Sequence, residues 1–314
     1  MKLVELFRDN PNIIINTDID GFISGIILQQ YCGAKVVGFS NSKKAIWVTP
    51  EIRSIYDPVY VDLFVARPDV VCIEQHVISF NKSHNSAIAM LGTKINPNVE
   101  RCRTFSGDYY HKYPFGTVHY IVSCLGQEGI EVKFPDFSNI CISLRGRETE
   151  LGQIIMRADD ALYSSLSAYA DNAYEWWQYL RQRGDCPAIR QMVQYVQSCD
   201  SKKAKRYKED VGLFFRDFGC DGMDGGFDDV MNYDGTLQKR VEDFYKFLKT
   251  VLKCGDVSAL PSELILHEGV FQKSTMRRDS DVSVLSQKEM FSYAFIYGSL
   301  SRYSNFSYTT DMED

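Results

Sequence analysis

Two carboxylates two residues apart, Asp18 and Asp20, follow the apolar run Ile13-Ile14-Ile15 and lead through Gly21 into the apolar stretch Phe22 to Tyr31. This reads as a short buried strand that delivers two acids to the start of a helix. Carboxylates held close together repel unless a cation or a proton separates them, so folding alone has little use for the pair. A metal ion is the economical explanation. The competing reading is a helix N-cap beside a solvated loop acid, because Asp is favoured at the cap. Asp20 alone would satisfy that cap, which leaves Asp18 over.

Two further apolar runs end in polar residues: Asp62 closes Val59-Tyr60-Val61, and Glu74-Gln75-His76 follows Val70 to Ile73. In an open parallel sheet the carboxyl ends of the strands face one crevice, so side chains distant in sequence can converge there. Asp62 could instead start a turn. Glu74-Gln75-His76 could be a structural turn with a packed histidine.

The elements that must position these residues are short runs at Ile13–Ile15, Lys35–Phe39, Val59–Val61, Val70–Ile73 and Ile140–Leu144, alternating with helical stretches. Continuous rather than alternating apolar character suits strands covered on both faces, hence an α/β fold with a mostly parallel sheet flanked by helices. The helix after the first strand should end at Gly33. Lys94 to Asn98 reads as a loop from its Asn-Pro chemistry. Tyr109 to Pro114 is a loop feeding a helix from Phe115 to Leu125, closed by Gly126. From Thr149 to Ser198 the pattern is helical, with Trp176, Trp177 and Leu180 on one face. Ser201 to Lys208 is a basic helix face, Cys220 to Asp229 a glycine-rich tight loop, and Leu237 to Leu252 a helix. Aromatic runs at Phe291–Gly298 and Tyr303–Tyr308 read as strands. The expected division is residues 1–165 as a metal- and phosphate-binding domain, 166–200 as a helical connector, and 201–314 as a smaller α+β substrate-binding or lid domain.

At 314 residues the chain can bury roughly three quarters of its unfolded surface, enough for two lobes. The net charge of -6 argues against a chain-wide grip on nucleic acid. Nine cysteines without a CxxC pair suit a reducing, cytoplasmic setting rather than a disulfide framework or zinc ribbon. No apolar run approaches bilayer length, so no membrane partner is expected. A homodimer stays open.

Taken in order, these strand-end motifs resemble the DHH phosphoesterase family over residues 10 to 165. Asn16-x-Asp18-x-Asp20-Gly21 is similar to its DxDG motif, Asp62 to the Asp that closes a strand in its second, and Glu74-Gln75-His76 stands where the DHH itself would be. Asn96-Pro97 matches an Asn-Pro that often follows, and Asp159, or next to it Asp160, the fourth-motif Asp. The resemblance implies Asp18, Asp20, Asp62 and Asp159 as metal ligands, with Asn16 and Gln75 replacing stronger donors, Asp62 bridging, and Glu74 in a supporting role. At least one of two metal sites should then be weaker than usual. A GGGH-like substrate motif is missing, since Asp221 to Phe227 supplies glycines but no histidine.

Hydrolysis of a phosphodiester or phosphoanhydride needs an activated water and positive charge on the phosphate, which two divalent ions about 4 Å apart can supply. The oxygen-rich set suits Mg²⁺ or Mn²⁺, one or two ions, whereas thiolates or several histidines would suggest zinc. His76 would face the substrate, binding a phosphate oxygen or passing a proton. Arg145, Arg147, Lys273, Arg277 and Arg278 are candidate phosphate holders, with a plain surface role as the alternative. Tyr303 and Phe306 could stack a base or belong to a core strand. The expected function is a metal-dependent phosphoesterase acting on a nucleotide or short single-stranded oligonucleotide. The alternative is a catalytically degenerate relative that binds a nucleotide or a protein partner as sensor or scaffold.

Overall fold

The computed structural model describes residues 2–138, 141–144, 147–167, 169–222, 225–255, 257–277, 285, 289–296 and 303–312. The isoleucine run lies at the middle of its main sheet. Six early strands, β1 (Asn12–Asn16), β2 (Lys35–Ser40), β3 (Ala45–Val48), β4 (Val59–Val61), β5 (Cys72–Ile73) and β6 (Lys94–Ile95), precede a separate hairpin of β7 (Cys141–Leu144) and β8 (Arg147–Glu150). A later strand, β9 (Ile265–Glu268), completes a seven-stranded sheet in the order β6-β5-β4-β1-β2-β3-β9. Pairings from β6 to β2 are parallel, and β3 and β9 add antiparallel edges.

β1 pairs with β2 on one side and β4 on the other, and Ile13, Ile14 and Ile15 are fully buried. Ile13 and Ile15 pack on one face with Phe22, Ile121 and Val122, while Ile14 packs on the other with Val37, Tyr60 and Phe291. Coverage of both faces is why the run is apolar at every position. The mostly parallel α/β sheet matches the reading from sequence. The run expected at Ile140–Leu144 belongs instead to the hairpin, with Ile140 outside the described residues. Lys94–Ile95, expected in a loop, forms the short strand β6, and only at Asn96 does the chain turn to cap Pro97–Glu100.

The helix after β1, Ile19–Cys32, ends at Gly33 as expected. The helix Thr117–Gln127 continues through Gly126, where it was expected to stop. Gly126 is there for close approach: a Cβ would stand 2.4 Å from the Gly184 carbonyl oxygen at the end of the helix Ala170–Gly184. Trp176, Trp177 and Leu180 are all buried on that helix. Other helices are Leu3–Asp9, Lys82–Leu91, Leu151–Ile155, Ala161–Leu166, Pro187–Ser198, Ser201–Arg216 and Lys239–Leu252. Leu151–Ile155 starts two residues after Thr149, which lies in β8.

One apolar cluster runs from Leu3 to Leu264 and includes Trp176, Phe214 and Phe244. A small antiparallel sheet, β10 (Val270–Arg277), β11 (Met290–Ile296) and β12 (Tyr303–Thr310), has the order β10-β12-β11. Its Tyr293, Phe295 and Phe306 pack against Phe64, Phe80 and Phe105, beside the ends of β4 and β5. Among the described residues no helix is long and apolar enough to cross a membrane.

Candidate metal centre

β1 ends at Asn16, and the chain turns through Thr17 to Asp18, whose Oδ1 accepts the Gly21 N–H at 3.0 Å and caps Ile19–Cys32. The cap is therefore Asp18, where Asp20 had been thought sufficient. Asp20 serves a different helix. Its Oδ2 accepts the Thr117 N–H at 2.5 Å and its Oδ1 the Val118 N–H at 2.9 Å, at the start of Thr117–Gln127. A carboxylate there satisfies orphan donors and complements the helix dipole.

Asp62 stands at the end of β4 with a left-handed backbone, φ 62°. Its buried carboxylate accepts Thr117 Oγ1 at 2.7 Å and Asn16 Nδ2 at 3.0 Å, and His76 Nε2 lies 3.0 Å from Oδ1. The Asn16 amide also donates to Asp18 Oδ2 at 2.7 Å, so one NH2 group joins two acids. Asp159 arrives from a turn in which it and Asp160 both have positive φ, 47° and 52°. Gln75 Nε2 donates to Asp159 Oδ2 and lies 3.2 Å from His76 Nδ1. Asp160 turns away and takes Arg157 at 2.5 Å and the Tyr207 hydroxyl at 3.4 Å, which distinguishes the two neighbouring acids.

Asp62, His76 and Asp159 each present one ligand atom, and these atoms lie within 4.8 Å of one another. Asp62 is buried, the other two half-buried, and the group could hold a metal ion. His76 thus joins the donor set, where it had been expected only to face the substrate.

The electrostatics fit a cation. Burial pushes the Asp18 carboxyl well above the usual range, the charges of Asp62 and Asp159 push it further, and the Gly21 N–H opposes them. Asp20 is raised in the same way by burial and then by Asp62 and Asp159. Burial would raise Asp62 as well, but the His76 charge and the bonds from His76, Thr117 and Asn16 outweigh it and hold Asp62 low. For His76 burial works downward, while Asp62 above all, then Asp159 and Glu74, hold the ring well above the ordinary histidine range. The described site is thus short of positive charge.

Glu74 is part of the frame. Fully buried, it accepts Asn96 Nδ2 at 2.5 Å and the Val77 N–H at 2.9 Å. Asn98 continues that frame, donating to the Gln75 carbonyl at 2.9 Å and accepting the Tyr113 N–H at 2.7 Å. The glycine-rich segment reaches the acidic loop as well: Phe227 N–H donates to Thr17 O at 3.0 Å, and Thr17 Oγ1 to Phe227 O at 2.7 Å. A Cβ on Gly226 would stand 2.6 Å from Thr17 O and 2.7 Å from Asp18 Cα, so only glycine fits.

Two cavities flank His76. One of about 250 Å³ lies between Asp18, Lys43, Phe227 and the Tyr293 and Tyr308 side of the small sheet. The other, about 470 Å³, lies beyond Gln75 and Asp159. Of the expected phosphate holders, Arg145 and Arg278 lie outside the described residues, as do the side chains of Arg147 and Arg277, on β8 and β10. Lys273 is exposed on β10. The Tyr303 side chain is likewise outside the described residues, and Phe306 is buried in the small sheet's core. Lys43 and Lys112 line the cavities. Neither they nor Thr117 stood out in sequence, because nothing local marks a residue that meets a distant strand end. No protein-family model, curated protein or solved structure matches this chain.

Proposed function

We propose that this chain is a divalent-metal-dependent phosphoesterase of the DHH type, acting on a phosphodiester or phosphoanhydride of a nucleotide or short oligonucleotide. The observation that carries this reading is the convergence of Asp62 and His76, from strand ends, with Asp159, from a turn between two helices, next to a raised Asp18. The order of the motifs along the chain supports the family. A divalent ion held there, Mg²⁺ or Mn²⁺ by the oxygen-rich donors, would supply charge for a phosphate and make water more acidic near neutral pH.

The residues around it are preorganised for that work. Thr117 and Asn16 fix the orientation of Asp62, and Gln75 fixes Asp159. His76 lines both cavities, so an ion held by Asp62, His76 and Asp159 would be within reach of a substrate entering from either side. Lys43 adds positive charge at the wall of the smaller cavity, although Asp228 at 3.2 Å offsets part of it.

The test is cleavage of bis(p-nitrophenyl) phosphate, dinucleotides and short single strands with Mg²⁺ or Mn²⁺, wild type beside Asp62→Asn. We expect metal-dependent turnover that falls by about 10³-fold in the variant, some 4 kcal/mol of barrier. Metal-independent cleavage, or full activity in Asp62→Asn, refutes it.

A second reading has an observation of its own. The amides of Asn16 and Gln75 already donate to Asp18, Asp62 and Asp159, which partly compensates the acids without any cation. This favours a binding protein on a disabled phosphoesterase fold, and silence across the substrate panel from folded protein would select it.

A further inference from the structure

The larger of the two cavities has a composition that the metal site does not require. Tyr109, Tyr110, Tyr113 and Tyr169 line it, with Lys112 among them, and Gln75, His76 and Asp159 form its inner end. Tyr113 is a core residue, but Tyr110 and Tyr169 are 51% and 53% exposed and belong to no apolar cluster among the described residues. Large aromatic rings held open to solvent beside a cleft are a binding feature rather than a folding one.

The wall is held in place before any ligand arrives. Asn172 Nδ2 donates to the Lys112 carbonyl at 2.9 Å, and Trp176 Nε1 to the His111 carbonyl at 3.0 Å. Asn98 ties the Tyr113 N–H and the Gln75 carbonyl together, so wall and metal centre share one support. The Lys112 ammonium lies 5.0 Å from the centroid of the Tyr109 ring, placing a cation on an aromatic wall. Stacking surfaces, one positive charge and an acidic, metal-competent end match a planar aromatic group joined to a phosphate.

We propose that this tyrosine-lined cavity is the subsite for the nucleobase of the substrate, with its phosphate directed to His76. The proposal rests on the phosphoesterase reading for the chemistry at His76, but its base recognition is measurable without turnover. Stacking on such rings is sequence-tolerant, so any base is accepted, and each stacked base contributes about tenfold in affinity.

The experiment compares calorimetric binding of AMP and of ribose 5-phosphate, which lacks the base, to the full chain in Mg²⁺ buffer. Wild type, the Tyr110→Ala/Tyr169→Ala double variant and the Tyr110→Phe/Tyr169→Phe double variant are measured, each with its thermal midpoint. Wild type should prefer AMP about tenfold, the alanine variant should lose that preference, and the phenylalanine variant should keep most of it. Equal affinity for the two ligands in wild type, no binding of either, or a preference that survives alanine substitution overturns the subsite. Cleavage of the diester panel is recorded in parallel. Metal-dependent cleavage without base preference removes the subsite alone, and base-dependent binding without cleavage removes the enzyme reading alone.

Discussion

Asp20 and Asp62 are both fully buried acids, and they do opposite things. Both oxygens of Asp20 are occupied by backbone N–H groups at the head of one helix. Glu74 is similar, closed off by Asn96 and Val77. Asp62 takes its partners from side chains, Thr117, Asn16 and His76, and shares its surroundings with Asp18 and Asp159. Acids of the first kind hold the frame, since backbone donors are fixed and cannot be given up. Acids of the second kind are held by side chains that can turn from the acid to a ligand, and this is what a cation-binding centre needs.

The largest stability effect should therefore come from the frame. Asp20→Ala leaves two buried N–H groups without an acceptor and removes the charge at the helix start, at a cost of about 3 kcal/mol. Asp62→Asn removes the charge that pairs with His76 but also the repulsion with Asp18, so its loss of stability should be the smaller of the two. Urea unfolding of the two variants decides the comparison. Equal losses, or a larger loss for Asp62→Asn, would mean that frame and site are not separable in this way.

Gly226→Ala probes the join between them. Its methyl would meet Thr17 and Asp18 backbone at distances no real contact allows, so the acidic loop must shift, at about 2 kcal/mol of overpacking strain. We expect metal affinity to fall along with the unfolding midpoint. If metal affinity stays at the wild-type level, the loop absorbs the methyl elsewhere and the glycine-rich segment does not position Asp18.

Much of this was legible in the sequence, and the exceptions share a cause. Ile13 to Ile15 announced a doubly covered strand, and the acids after it announced a crevice, because both signals are local. The role of Asp20 was not readable, since its partners lie 97 and 98 residues away at the head of another helix. Ala45–Val48 and Ile265–Glu268 pair across more than two hundred residues and carry no local signal beyond four residues each. His76 was placed at the site facing the substrate, and its place beside Asp62 and Asp159 in one ligand group depends on the turn that brings Asp159 to it. Of the basic residues named from sequence, only Lys273 has its side chain among the described residues, exposed on β10.

The smallest effect sharpens the same division through pH. With no cation bound, His76 has its pKa raised by Asp62, so this stabilisation is present at low pH and lost as pH rises through the folded His76 value. Asp62 is lowered, so its contribution is present above the unfolded value and lost as pH falls through the folded one. The metal-free pair is thus strongest between those two points. A cation must displace the His76 proton, and the raised Asp18 carboxyl must also ionise, so metal affinity should rise with pH by about tenfold per unit for each proton released. Thermal shifts with Mg²⁺ across neutral to mildly alkaline pH measure it, and His76→Gln should flatten the curve. A metal-induced shift that is flat or shrinks as pH rises in the wild type would mean that His76 is not displaced from Asp62 and that the ion is bound elsewhere.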